Sequence, residues 1–258
     1  MTKPATASRR RKSAASVPRI DAAPAFILHH YPYRETSKLL DVFSRDHGRL
    51  MLVARGAQRP GSQLRAVLLP FQPVLLSWFG SGEVKTLHSA EWQGGLPQLT
   101  GLPLLCGFYL NELLLKLLPR DERAVDLFVR YFEAIRTLGL GGGPVEPALR
   151  TFELGLLNAL GYAPDWQQTS SGEAIIPSAR YSFDSASGIL IERGGGGGGG
   201  GGGGVAVSGQ TLLEASHGQF LSERSLSEAK LLMRQMLANV LGDAPLHTRQ
   251  LLLDLQKL

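Results

Sequence analysis

The hydrophobic pattern of this chain changes period once, near Trp92, and that change restricts the architectures open to it. Between Pro24 and Trp92 short apolar runs alternate with turn residues: Ala25 to His29, Lys38 to Ser44, Arg49 to Arg55, Val74 to Phe79 and Val84 to Ser89. Asp46-His47-Gly48 supplies a tight turn between the second and third runs, with Gly48 free to take a positive φ. Five short strands in about 70 residues, with no long helix between them, predict a small closed Greek-key barrel of the OB type. Beyond Trp92 the apolar residues recur every three or four positions. Leu102 to Leu118 reads as a buried helix ended by Pro119. Glu122 to Leu138 reads as an amphipathic helix with Val125, Phe128, Phe132 and Ile135 inward, and a third helix opens at Pro147 with Leu149, Phe152, Leu156 and Leu160 on one face. The fold class expected is α+β: an N-terminal OB-fold β-barrel followed by an α-helical domain with a small irregular insertion.

The boundaries follow from composition. Residues 1–23 are rich in Ser, Ala, Pro and Lys/Arg without an apolar face, which predicts a disordered basic tail. The barrel spans 24–92 and the helical domain 93–258. Within the latter, 165–209 breaks the helical pattern and contains eleven consecutive glycines, Gly194 to Gly204, expected to be a flexible linker. Helical signal returns with Ser225-x-x-Glu228, which predicts a capping box, and a last short helix is expected from Thr248.

Chemistry-bearing motifs are scarce. No lysine follows a glycine, so the glycine run lacks the Gly-Lys-Ser/Thr element of a phosphate loop. The six histidines are scattered with no helical His-x-x-x-His pair, and the single cysteine, Cys106, sits among leucines as a small buried hydrophobe. No Gly-x-Ser-x-Gly stands on a strand-to-helix turn. A non-enzymatic protein without cofactor or metal is expected. Neither an export signal nor an apolar segment long enough to span a bilayer is found, which predicts a soluble cytoplasmic protein.

Charge is the informative quantity. The net charge of +5 is unevenly distributed: through residue 65 the chain carries thirteen Lys/Arg against four Asp/Glu, and beyond it fourteen against eighteen. A polyanion is the natural partner of such an asymmetry. Arg34, Lys38, Arg45, Arg49, Arg55, Arg59 and Arg65 fall in or beside the second and third strands, elements with which an OB barrel binds a nucleic-acid strand, so these seven are the expected DNA-binding residues. Tyr31, Tyr33 and Trp78 are available to stack on bases. In the helical part, a surplus apolar groove beside Arg150 is the expected docking site for a partner's short tail.

Several stretches resemble one family, the bacterial recombination and repair protein RecO: Phe26-Ile-Leu-His-His-Tyr-Pro-Tyr-Arg-Glu35, Gly48-Arg-Leu-Met-Leu-Val-Ala-Arg-Gly-Ala57, Leu69-Pro-Phe-Gln-Pro73, Gly107-Phe-Tyr-Leu-Asn-Glu-Leu-Leu114, and Ala148-Leu-Arg-Thr-Phe-Glu-Leu154 continuing to Leu160-Gly-Tyr162. Weaker likeness continues in Val207 to Leu212 and Pro245 to Arg249. The resemblance implies no enzyme but a protein that binds single- and double-stranded DNA, anneals complementary strands, contacts the acidic C-terminal tail of single-stranded DNA-binding protein, and with RecR and RecF helps RecA load onto coated strands. It assigns DNA contact to Arg34, Arg49, Arg55 and neighbouring cations, and tail capture to the helical domain near Arg150. Some members hold zinc with four cysteines in the segment corresponding to about 165–195. This chain has none there, so the segment is expected to be held by packing of Ile176, Tyr181 and Phe183. A protein adaptor that binds repair partners without annealing DNA is the alternative expectation.

Overall fold

The structure, a computed structural model, describes residues 18–192 and 204–255. Most of the expected basic tail and nearly all of the glycine run therefore lie outside the described residues. Five strands, β1 (Arg19–Tyr33), β2 (Ser37–Ser44), β3 (Gly48–Ala54), β4 (Val74–Phe79) and β5 (Val84–Trp92), close into a barrel in the order β1-β2-β3-β5-β4. All pairs are antiparallel except β3 with β5. A short helix, α1 (Leu64–Val67), lies in the connection from β3 to β4. The first strand begins at Arg19, ahead of the expected onset at Pro24, because Arg19 and Ile20 pair with Phe79 and Trp78 of β4.

Alternation decides what fills the barrel. Ile27, Leu40, Val42, Leu50, Leu52, Val74, Leu76 and Trp78 point inward and form one apolar cluster. Trp78 is only 2% exposed, so it is part of the core and cannot stack on a base as expected. The i, i+2 series Val74, Leu76, Trp78 carries this information in the sequence.

The second apolar cluster is built on helices α2 (Gly101–Leu117), α3 (Val125–Leu140), α4 (Glu146–Ala159), α5 (Gly209–Ser216) and α6 (Glu223–Leu241), but it also takes in Phe26, Leu28 and Phe43 from the outer face of the barrel. Phe26 meets Tyr131 edge-on at 4.9 Å between ring centroids, and Phe43 meets Phe128 at 5.4 Å. Beneath them Asn111 donates to the Leu28 carbonyl at 2.8 Å and accepts from the Tyr131 hydroxyl at 2.6 Å, so the junction has its buried polar groups paired. Barrel and helices thus share a core, and a large part of the β1–β2–β3 outer face is closed to ligands.

The described part of the segment 165–209 is more ordered than its composition suggests. Strands β6 (Arg180–Asp184), β7 (Gly188–Ile191) and β8 (Val205–Ser208) form an antiparallel sheet in the order β7-β6-β8. Tyr181 and Phe183 are buried there as expected, but Ile176 is exposed, and its neighbour Ile175 fills the core instead. Helix α5 follows without a break. Its N-cap Ser208 accepts from the Thr211 amide, while Glu228 of α6 takes bonds from the Ser208 amide, the Ser208 hydroxyl and the Thr211 hydroxyl. Burial works against ionisation of Glu228, yet these bonds and Arg224 hold its carboxyl down at about 2. The capping box of α6 is accordingly Ser222 with Ser225, one turn earlier than expected, and Glu228 is committed to α5. A final helix, α7 (His247–Leu255), is anchored by Glu112 of α2, which accepts from the amides of His247 and Thr248 and from the Thr248 hydroxyl. Among the described residues no helix is long and apolar enough to cross a membrane.

Candidate nucleic-acid interface

The seven cations expected to bind DNA divide into three groups. Arg34, Lys38, Arg55 and Arg59 gather at the end of the barrel made by the β1–β2 hairpin. Lys38 pairs with Ala54 across β2 and β3, which brings Arg55 beside the hairpin. The connection after β3 is then tied to it, because Gln58 donates its amide to the Thr36 carbonyl and its side-chain nitrogen to the Ser37 carbonyl at 2.7 Å. Arg65 follows on α1. None of these five has an ion-pair partner among the described residues, and Arg34, Arg55, Arg59 and Arg65 are exposed. No acid occurs between Asp46 and Glu83, so only Glu35 opposes the cations of the hairpin.

Arg34 has a positive φ of 53°, and its guanidinium sits over the Tyr33 ring at 5.2 Å, which fixes a side chain that solvent alone would leave free. His30 lies diagonally across the strand pair from Lys38, since His30 pairs with Leu40 and Pro32 with Lys38. Partial burial and the Lys38 charge lower the His30 pKa.

The second group is Arg45 alone, at the opposite end of the barrel. There Asp46 takes two bonds from Arg45, at 3.1 and 2.9 Å, and lies 3.6 Å from Arg123. Lys85 with Asp121 and Arg120 with Glu83 complete a mixed-sign surface that offers no excess positive charge.

Arg49 forms the third group, and the structure places it in the junction between barrel and helices. Its side chain is 12% exposed, its Nε and Nη2 are bound bidentately to Asp41 at 2.9 and 2.8 Å, and its Nη1 donates to the carbonyls of Leu115 and Leu118. Arg49 thus neutralises a buried carboxylate and closes the carbonyl end of α2, where a cation complements the helix dipole. These bonds use four of the five N–H groups of Arg49.

Arg150, expected at a tail-binding groove, is also buried. Its Nη2 pairs with Glu153 at 2.8 Å, and Glu153 in turn accepts from the Tyr109 hydroxyl at 2.6 Å. Burial raises Glu153 despite the neighbouring charges of Arg150, Arg249 and Lys230. Those two further cations, Arg249 of α7 and Lys230 of α6, are less buried than Arg150. Which charges act on Glu153 depends on how α4, α6 and α7 pack, which spacing within any one helix does not reveal.

A closed five-stranded barrel with a helical domain packed on its flank places the chain in the class of OB-fold proteins, and its cationic end has no ion-pair partner among the described residues. Two family profiles resolve the class further: Recombination protein O N terminal matches residues 21–95, and Recombination protein O C terminal matches residues 99–250. Relatives over nearly the whole length include the DNA repair protein RecO of Azoarcus sp. (strain BH72), 49% identical over 242 residues, covering 93% of this chain and 98% of the relative. The DNA repair protein RecO of Chromobacterium violaceum is 49% identical over 241 residues, covering 93% and 97%, and that of Nitrosospira multiformis is 46% identical over 241 residues, covering 93% and 98%. The chain belongs to the RecO family.

Proposed function

We propose that this protein acts in recombinational repair as a non-enzymatic mediator that binds single- and double-stranded DNA, anneals complementary strands and, with RecR and RecF, helps load RecA onto strands coated by single-stranded DNA-binding protein. Membership of the RecO family supports the role in repair. The observation that carries DNA binding is the cluster of Arg34, Lys38, Arg55 and Arg59 at one barrel end, none of which has an ion-pair partner among the described residues. Internally unpaired cations held at fixed spacing release counterions from a phosphate backbone on contact. The same neutralisation lowers the repulsion between two strands, so complementary segments meet more often and base pairing supplies the free energy.

The double charge reversal Arg34→Glu/Arg55→Glu is expected to slow annealing of labelled oligonucleotides and to reduce the slope of log K against log salt by roughly 1.4 on single strands, at ~0.7 for each phosphate no longer neutralised. An unchanged slope with intact partner binding would transfer the function to the adaptor reading.

The acidic tail of single-stranded DNA-binding protein is assigned to the helical domain, where Lys230 and Arg249, both less buried than Arg150, act with it on the charge of Glu153. Lys230→Glu/Arg249→Glu is expected to weaken binding of an acidic peptide with an apolar end by about tenfold or more. In a fluorescence-anisotropy titration, equal affinity of wild type and variant would remove this assignment.

A further inference from the structure

Helices cover Phe26, Leu28, Phe43, Asp41 and Arg49 on the outer face of the barrel, and the part nearest the hairpin stays open. A β-bulge determines what lies there. Ile27 pairs with Val42 and His29 with Asp41, so Leu28 is the extra residue on β1. Ile27 and Val42 point into the barrel, and Asp41 points out. Without the bulge the two-residue alternation would turn His29 and Tyr31 inward. With it they share the outer face with Asp41 and Leu39, their register partners. His29 is exposed, Tyr31 is 43% exposed, and their rings meet edge to face at 4.5 Å between centroids. Leu39 and Val53, paired across β2 and β3, lie alongside as a half-buried apolar surface, and Arg34 and Arg55 flank the patch at the hairpin end. An edge-to-face ring pair at the surface contributes only about 0.5–1.5 kcal/mol to the barrel itself. An unpaired base gains a flat partner with a phosphate-binding rim beside it.

We propose that Tyr31, braced by His29, is a base-stacking platform that makes this site prefer unpaired strands over duplex. This rests on DNA binding at the hairpin end and adds to it the element that distinguishes the two forms of DNA. In a duplex the faces of the bases are stacked on one another and only the backbone meets the protein. In a single strand a base can leave its neighbours and lie on the Tyr31 ring while its phosphates meet Arg34 and Arg55.

The experiment compares the full chain with Tyr31→Ala, Tyr31→Phe and His29→Ala, titrated with a thymidine oligonucleotide, a duplex of the same length and an abasic strand of the same charge, each at several salt concentrations. Tyr31→Ala is expected to lose roughly five- to 150-fold in affinity for the thymidine strand, to keep the wild-type salt slope, and to bind duplex and abasic strand as wild type does. Tyr31→Phe keeps the stacking face and is expected to restore single-strand affinity. Because Tyr31 is 43% exposed, all of these variants are expected to fold, with the unfolding midpoint lowered by no more than about 2–4 °C. An unchanged thymidine affinity in Tyr31→Ala, or an equal loss on all three ligands, would overturn the platform. Neither result touches the cationic site, whose own failure is read separately from Arg34→Glu/Arg55→Glu.

Discussion

Arg49→Ala is expected to destabilise the protein by about 3–5 kcal/mol, while the folded fraction keeps its affinity for DNA. Asp41 is 1% exposed, and the guanidinium of Arg49 supplies its countercharge through two hydrogen bonds. Removing that group leaves a carboxylate in a site where water cannot replace the missing bonds. The third bonding position on Arg49 reaches across the domain junction to the Leu115 and Leu118 carbonyls, so the alanine also uncaps α2. Two controls separate the charge from the shape. Arg49→Met/Asp41→Leu removes both charges and is expected to recover most of the loss, since an apolar pair of similar volume avoids the desolvation cost of the ions. Arg55→Ala, at an exposed and unpaired position, is expected to change stability by less than about 0.5 kcal/mol and to weaken DNA binding. Urea denaturation and a DNA titration on the same samples read both quantities. A stable Arg49→Ala variant with weakened DNA binding would return Arg49 to the interface.

The contrast between Arg49 and Arg55 shows how far the sequence could be read. Charge density marks the N-terminal quarter of the chain, but it cannot tell a cation that meets solvent from one that meets Asp41. That distinction depends on cross-strand register, in which Asp41 lies opposite Met51 with Arg49 diagonally adjacent, and on a helix more than sixty residues away. The strands and helices themselves were legible because their hydrophobic periods are clean. Failures occurred where local chemistry had two uses. Ser225-x-x-Glu228 satisfies a capping pattern, yet Ser222 caps the helix and Glu228 bonds the start of α5. The segment 165–209 reads as irregular because each of its strands is only four or five residues long and the glycines and serines among them mask alternation. The bulge at Leu28 is likewise invisible in a sequence that simply continues Phe-Ile-Leu-His-His, although it decides which aromatics face outward.

Gly48→Ala is the second change expected to have a large effect, about 3 kcal/mol or more. Gly48 ends the β2–β3 turn with φ at +64°, where an L side chain is strained, and a Cβ built there falls 2.0 Å from the Glu122 carbonyl oxygen and 2.5 Å from its carbon. The obstacle is backbone and cannot rotate away. It is also held in place, because the Asp121 amide donates to the Arg49 carbonyl at 2.8 Å and the segment leads directly into α3. Making room therefore means moving the start of α3 away from the barrel, against the packing of Phe128 on Phe43. Gly61→Ala isolates the conformational part, since Gly61 has φ at +79° with nothing within 4 Å of the added Cβ, and it is expected to cost roughly 1 kcal/mol. The excess of Gly48→Ala over Gly61→Ala measures how tightly the helical domain is held on the barrel. Gly48→Ala and Arg49→Ala break the same junction, so the double variant should lose less than the sum of the two single effects. Full additivity would mean that the turn and the ion pair hold the two domains independently, and that the shared core around Phe26 and Phe43 tolerates displacement of α3.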